Sequence, residues 1–353
     1  MTPEAPAPDA HDSSTDATGW RVVVMRYQTS CAFRATWQVV NSFGFYVATW
    51  GLIFLSLSLS YWLTAALALL AGGLLMRVFI ILHDCGHGSF FKSRLANDIT
   101  GYIGGVLTFT PYHLWRWEHA QHHSAAGDLD RRGIGDIPTM TVEEYLNAPR
   151  LKRWTYRLIR NPVVLFGVIP LLMFFIKHRL PMADKASAKI RHSVHWTNFA
   201  ILALVVGMSL LFGFWTYLII QVAVIMITGS VGTWLFYVQH QFEDVYWGRG
   251  DDWDFVDAAL KGSSFYKLPK VLQWFTGNIG FHHIHHLSPR IPNYNLERCH
   301  EAEPLFQAVV PVTLRSSMDS IHYRLWDEKQ RKLVGYGPMR ALRRQRRRAV
   351  STK

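Results

Sequence analysis

Three short segments concentrate the histidines of this 353-residue chain. They are His83-Asp84-Cys85-Gly86-His87, His119-Ala120-Gln121-His122-His123 and His282-His283-Ile284-His285-His286, with patterns HxxxH, HxxHH and HxxHH. On a helix, residues three and four apart share a face. His83 and His87 therefore point the same way. So do His119, His122 and His123, and so do His282, His285 and His286. Each cluster is expected to present its imidazoles to one point. These eight imidazoles from three segments could hold two metal ions and leave coordination positions open for dioxygen. One histidine on an apolar face is usually a satisfied core residue, and a single HxxxH pair arises by chance in many chains. Three clusters at ligand spacing are a different matter.

Imidazole suits zinc, copper, iron and nickel. A structural zinc site takes about four ligands and has no need of so many histidines. Two irons with open positions could activate dioxygen. An oxidant of that power is what an unactivated C–H bond demands, and such bonds are what a substrate dissolved in membrane offers.

Further residues join the set by position. His240 follows an apolar run directly, as His83 does, so it is the candidate ninth ligand; its plainer reading is a polar residue at a helix end. Asn278 stands four residues before His282 and could hold a metal-bound water or cap a turn. Metal-bound histidines normally donate their second N–H to a carboxylate or carbonyl. Asp84, Glu118, Asp136, Glu243 and Asp244 are candidates, although each alone reads as a surface or capping acid. His283 is expected to face away from the metals. His113, His178, His192, His195, His300 and His322 lack ligand spacing and read as structural.

The elements that position these groups are apolar runs. Val39 to Ser58, Tyr61 to Leu82, Trp196 to Phe214 and Thr216 to Val238 are each long enough to span a bilayer, which takes about 20 apolar residues. Short joins pair them into two helical hairpins. The joins hold Tyr61, Trp62, Trp215 and Tyr217 and no charge, as suits the far interface. Basic segments Arg21 to Arg34, Arg150 to Arg160 and Lys177 to Arg191, with the tail, lie outside the hairpins on one common, cytoplasmic side. The run Pro162 to Ile176 is short, carries two prolines and has basic residues on both flanks. It is expected to be interfacial or re-entrant, because a spanning segment there would put histidine clusters on opposite sides of the membrane. The run Ile99 to Tyr112 is glycine-rich, short and expected at the interface. The fold class is thus an all-α integral membrane protein, with a histidine-rich di-metal site outside four spans. Residues 1–19, rich in Pro, Ala, Asp, Ser and Thr, read as a disordered lead-in and not as a signal peptide. Residues 20–338 form the membrane domain and residues 339–353 a basic tail.

The net charge is +12. Anionic lipid explains a basic balance in a membrane chain, and the arginines of the tail (Arg340, Arg343, Arg344, Arg346, Arg347, Arg348) are either a lipid anchor or a solvated end. No zinc-finger spacing, RNP-type motif or basic recognition helix points to nucleic acid. Cys31, Cys85 and Cys299 are far apart and odd in number, which excludes a disulfide framework or a CxxC motif. A metal transporter would want its histidines or acids within the bilayer, whereas these clusters lie outside the spans.

The segments HDCGHGSFF (His83 to Phe91), WRWEHAQHH (Trp115 to His123), QHQFEDVYW (Gln239 to Trp247) and GNIGFHHIHHLSPRIPNYNL (Gly277 to Leu296) resemble the membrane-bound fatty acid desaturases. The resemblance runs from about Val39 to Phe306. The wording of the first and third boxes is similar to bacterial acyl-lipid desaturases of the delta-12 (omega-6) or delta-5 kind. The resemblance implies four transmembrane helices under a cytoplasmic helical cap, two iron ions and dioxygen as co-substrate. It implies two electrons from ferredoxin or a similar donor, separate because no HPGG motif of a fused cytochrome b5 is present. It implies a long acyl chain, lipid-linked, that gains a cis double bond, with delta-12 the favoured position and delta-5 or delta-9 the alternatives. The setting it implies is a bacterial inner membrane with the active site facing the cytoplasm. Phe90, Phe91, Phe109, Trp115, Trp117, Trp234 and Phe236 are candidates for an acyl tunnel or for ordinary core. Arg131, Arg132, Arg150 and Lys152 could dock an acidic ferredoxin or lipid phosphates. Hydroxylases and ketolases share such histidine boxes, so the metal site alone does not separate them from desaturases.

Overall fold

The computed structural model describes residues 16–181, 187–339 and 342. Helix α1 (Asp16–Tyr27) is followed by four helices: α2 (Ala32–Ser56), α3 (Tyr61–His87), α4 (Arg94–Leu107) and α5 (Tyr112–Ala125). After strand β1 (Met140–Thr141) come α6 (Val142–Asn147), α7 (Arg150–Ile159), a π-helical turn over Val164–Val168 and α8 (Ile169–Phe175). The second long pair is α9 (Ala188–Phe212) and α10 (Phe214–His240). The cap continues with α11 (Phe255–Leu260), β2 (Phe265–Lys267), α12 (Lys270–Phe275), α13 (His282–Leu287) and α14 (Asn293–Glu301). Strand β3 (Pro311–Thr313) lies parallel to β2. Strand β4 (Leu325–Asp327) lies between β1, to which it is parallel, and β5 (Lys332–Val334), to which it is antiparallel.

Helices α2, α3, α9 and α10 are long and apolar enough to cross a membrane. Their outer faces expose Phe54, Leu55, Leu69, Phe199, Leu202 and Leu210. Water does not tolerate so continuous an apolar belt, whereas lipid does. The hairpin turns carry Trp62 and Trp215, both exposed, at one end of the belt, where aromatic residues favour the interface. Between the helices, Tyr46, Trp50, Ile53, Leu74, Leu75, Tyr217 and Val224 form the buried core. Thr228 Oγ1 donates to the Gly72 carbonyl at 2.9 Å and ties α10 to α3.

The helices overrun the apolar runs that mark them in the sequence. Helix α2 starts at Ala32 and α9 at Ala188, while α3 reaches His87 and α10 reaches His240. The added turns carry polar or basic residues, Arg34 and Gln38 in α2 and Lys189 and Arg191 in α9 among them, and as helix they satisfy their own backbone while leaving the bilayer. Thus α3 and α10 carry histidines out of the membrane on the rigid ends of spans. Gly88 then stops α3 with a left-handed φ of 70°, a conformation that a side chain disfavours.

The segment after Arg150 is bent, with 65° between α7 and the 164–179 segment. Leu151, Trp154 and Leu158 face outward from α7 beside exposed Arg150, Lys152 and Arg157. That is the pattern of a helix lying in a membrane surface. The run Ile99 to Tyr112 ends α4, turns, and opens α5.

The two ends depart from the sequence reading where they are described. Residues 16–19 of the expected lead-in begin α1, whose Trp20 and Val24 pack in one cluster with Ile284, Leu296 and Phe306. Met339, placed in the tail by composition, is buried with Tyr145, Tyr156 and Leu325, because an apolar side chain there has a core to join. The rest of the lead-in, and the tail arginines Arg340 to Arg348, lie outside the described residues.

Candidate metal centre

The ring nitrogens of His83, His87, His119, His123 and His285 gather in one group, and those of His122, His240, His282 and His286 in a second. Within each group the candidate ligand atoms lie within 4.8 Å of one another. All nine histidines expected from the sequence are therefore brought together, including His240. The division between the groups differs from expectation, because no HxxHH cluster aims at one point. His119 and His123 serve the first group and His122 the second, whereas His282 and His286 serve the second and His285 the first. Residues four apart on a helix are separated by about 40° in azimuth and adjacent ones by about 100°. Each i,i+4 pair thus shares a target, and the odd histidine of each cluster turns to the other.

Four elements set these positions. Helix α3 carries His83 and His87, α10 ends on His240, and α5 and α13 lie across them. Trp115 of α5 meets Phe79 and His83 of α3, with centroids 5.4 and 5.6 Å away, and so holds α5 against that helix. Phe236 packs against His122 and His240, with centroids 4.9 and 5.2 Å away.

The donor set fits metal ions. Facing Nε2 atoms are 3.2 Å apart for His122 and His240, and 3.0 Å apart for His240 and His282 and for His282 and His286. In the first group the spacing is 3.1 Å for His119 and His123 and 3.0 Å for His123 and His285. Two imidazoles bound cis to one ion at about 2.1 Å would hold their nitrogens about 3.0 Å apart. His83 Nε2 and His87 Nε2 are buried with no hydrogen-bond partner, a cost that a metal bond would remove. Burial, and to a lesser degree neighbouring imidazoles, holds His119, His123, His282, His285 and His286 well below the usual histidine range. These rings are neutral at physiological pH, the form that ligates.

Behind the rings stand orienting acceptors. His122 Nδ1 donates to Asp136 Oδ1 at 2.6 Å, and His83 Nδ1 to Asp84 Oδ1 at 3.0 Å. His240 Nδ1 donates to the Gly262 carbonyl at 3.2 Å. Each such bond fixes the tautomer so that Nε2 is the free donor. The Asp136 contact depends on Gly135, whose φ is +78°; a Cβ there would lie 2.9 Å from the Glu118 carbonyl oxygen and 3.1 Å from His122 Cβ.

The other candidate acids do different work. Glu118 pairs with Lys177 at 2.9 Å. Glu243 and Asp244 follow the end of α10 and bond to no histidine among the described residues. Asn278 sits at the left-handed φ of 58°, and its Nδ2 donates to the Asn293 carbonyl at 3.3 Å. His283 turns away, as expected, and meets His300 Nδ1 at 3.2 Å; burial pushes it down to about 3. Of the tunnel candidates, Trp115 and Phe236 touch histidines of the groups. Phe90 packs on Phe91 and Tyr294, and Phe109 lies in the core between the spans. Arg131 pairs with Asp128, and Arg132 with Glu144. Those two cations already serve local structure, whereas Arg150 and Lys152 stay exposed.

One element of the surroundings was missed in the sequence. Arg160, counted there among the flanking charges, is fully buried, and its guanidinium donates to Gln241 Oε1 and the Tyr323 carbonyl, each at 2.8 Å. It braces the residue that follows His240. No sequence spacing marks it, since its partners come from three distant segments.

A family model described as Fatty acid desaturase matches residues 60–313. A protein of Bacillus subtilis called Fatty acid desaturase is 47% identical over 299 residues, covering 85% of each chain. An sn-1 acyl-lipid omega-3 desaturase (ferredoxin) of Nostoc is 30% identical over 271 residues, or 73% of this chain and 71% of its own. An sn-1 oleoyl-lipid 12-desaturase of Synechocystis is 29% identical over 235 residues, 65% of each chain.

Proposed function

The chain belongs to the fatty acid desaturase family, whose members are oxygen-dependent oxidoreductases, and on that premise we propose that it places a cis double bond in a lipid-linked acyl chain with two irons held by its nine histidines. The observation that carries this reading is the pair of imidazole groups at one end of the spans, one of five buried or half-buried rings and one of four buried rings. In the proposal His83, His87, His119, His123 and His285 hold one iron. His122, His240, His282 and His286 hold the other, with Asn278 and Asp84 close behind the ligands.

Bound there, the irons supply the dioxygen chemistry that removes hydrogen from an unactivated methylene. The reaction balances as –CH2–CH2– plus O2, two electrons and two protons giving –CH=CH– and two waters. The remaining tasks fall to the chain. Asp84, Asp136 and the Gly262 carbonyl fix ring orientation. The apolar and aromatic surroundings, Trp115 and Phe236 among them, exclude water from the reacting methylene pair and keep it in place. The electrons come from a separate donor of the ferredoxin type, as the name of the Nostoc relative says of that protein.

The favoured position is delta-12, supported by the wording of the histidine boxes and by the Synechocystis 12-desaturase. Delta-5 and delta-9 are the alternatives, and hydroxylation or ketolation on the same scaffold is the rival chemistry. The basic segments beside the metal end of the spans support a cytoplasmic active site in a bacterial inner membrane.

The test is a fatty-acid profile by gas chromatography–mass spectrometry. The chain and a His122→Ala variant are expressed in a host with a suitable donor. A new cis double bond with the intact chain only, at delta-12, is expected. A hydroxylated or oxidised product instead would replace desaturation with the rival chemistry, and a bond elsewhere would correct the position.

A further inference from the structure

A groove of about 340 Å³ opens beside the metal-bearing cap. Phe33, Trp37 and Gln38 of α2, Arg77 of α3, Trp274 of α12 and Asn293 of α14 contribute to its wall. Three features set it apart. The first is Arg77, a cation buried within a membrane helix. It donates to Ser42 Oγ at 2.9 Å and to the Trp274 carbonyl, and its guanidinium stacks 4.1 Å over the Trp274 ring. Among the described residues no carboxylate pairs with it. A charge at that depth marks a functional site by default, since the membrane makes it costly.

The second feature is unmet hydrogen bonding. Gln38 Oε1 and both amide atoms of Asn293 are buried without a protein partner, although the two residues are only 6% and 1% exposed. Natural interiors rarely leave such groups unpaired, so a ligand that pairs them would be stabilised. The third feature is the mouth, where Phe33 and Trp37 are exposed beside Arg34, which donates to Asn295 Oδ1 at 2.8 Å, and Lys270, which pairs with Glu297, so that the three cations Arg34, Arg77 and Lys270 face one carboxylate. Aromatic and basic side chains together suit the boundary between headgroups and acyl chains.

We propose that this groove holds the head of a membrane phospholipid, with the phosphate against Arg34, Arg77 and Lys270 and an ester carbonyl at Asn293 Nδ2. The proposal rests on the desaturase reading and names the form in which the acyl chain arrives. The wall of the groove adjoins the metal centre. Asn293 N donates to Asp84 Oδ2 at 2.6 Å, and Asp84 Oδ1 accepts from His83 Nδ1 at 3.0 Å. A head bound at Asn293 therefore lies two hydrogen bonds from a ring of the first histidine group. The aromatic mouth favours a lipid that enters from the bilayer over an acyl-CoA that enters from water.

The experiment uses the full chain, metal-loaded and supplied with reduced ferredoxin and dioxygen, in vesicles containing phosphatidylglycerol with a diazirine beside its ester. Crosslinks are mapped by peptide mass spectrometry. Label is expected on peptides that contain residues 33–41, 270–278 or 293–297. Unlabelled phosphatidylglycerol is expected to displace it about tenfold better than diacylglycerol, which lacks the phosphate, or than acyl-CoA. Asn41→Trp, which fills the groove, and the Arg34→Gln, Lys270→Gln pair are expected to lower labelling and raise KM for the lipid, with metal content as in the parent. Label elsewhere, equal displacement by diacylglycerol or acyl-CoA, or full labelling of the variants would overturn the assignment. The fatty-acid profile of the same vesicles is read separately. A new double bond with label elsewhere removes the groove alone, whereas label in the groove without a new bond removes the desaturase reading and leaves the lipid site.

Discussion

Asp136 accepts a 2.6 Å hydrogen bond from His122 Nδ1, while His122 Nε2 faces His240 Nε2 at 3.2 Å on the opposite side of the ring. The carboxylate thus fixes both the tautomer and the direction of a proposed ligand. Removing such an orienting group typically costs about 10–100-fold in metal affinity. Asp136→Ala is expected to lose metal from the second group first, and Gly135→Ala to follow it, because the added methyl crowds Glu118 and His122. Metal content after dialysis against graded chelator measures this. Retention equal to the parent in both variants would show that Asp136 orients nothing.

His240 and His283 offer a paired comparison. Both are buried, yet His240 belongs to the second group and His283 meets only His300 among the described histidines. His240→Ala is expected to lower bound iron from about two per chain toward about one, since the second group has four rings against five in the first and His240 faces both His122 and His282. His283→Ala is expected to keep both irons and to lose some stability. Elemental analysis of the purified variants separates the cases, and two irons in His240→Ala would remove it from the ligand set.

The contrast shows what spacing can convey. The i,i+4 pair of each cluster shares one target, as its pattern implies, because that repetition forces a shared helix face. His240 was legible as well, since it ends an apolar run as His83 does. Spacing did not reveal that His122 and His123 serve different groups, as that depends on how α5 lies across α3 and α10. Asp136 stood among five candidate acids, and only the turn at Gly135 brings it to a ring. Arg160 was misread as a flanking charge because its burial depends on a fold that closes three remote segments around it. The groove at Arg77 was invisible for the same reason.

Removal of the metals is the next test. Without an ion, His83 Nε2 and His87 Nε2 are buried nitrogens with no partner, each costing on the order of 1–3 kcal/mol. The burden falls on the cap-side end of α3, which carries both rings, and on α5 and α13, whose histidines share the site, and not on the cores of the spans. Chelation is expected to raise hydrogen exchange in α5 and α13 while the apolar centres of α2, α3, α9 and α10 stay protected. Readdition of ferrous iron is expected to restore protection. Uniform loosening of spans and cap would show that the metals stabilise the whole bundle and not the cap alone.

Arg160 supplies the last test, one of architecture independent of any bound ion. Its guanidinium donates to the Pro138 carbonyl at 3.2 Å, Tyr237 Oη at 3.3 Å, Gln241 Oε1 at 2.8 Å and the Tyr323 carbonyl at 2.8 Å. Arg160→Met keeps much of the bulk and removes every one of these donors. Leaving buried acceptors unpaired is expected to cost about 3 kcal/mol. Arg160→Lys is expected to recover only part of this, because an ammonium cannot span acceptors that a planar guanidinium reaches together. Since Gln241 follows His240 directly, the loss should also loosen the second histidine group. The expected outcome is a lower melting temperature in detergent together with faster iron loss from that group. A lower melting temperature with unchanged iron retention would confine Arg160 to holding the cap, and no change in either would mean that its hydrogen bonds are replaced by water.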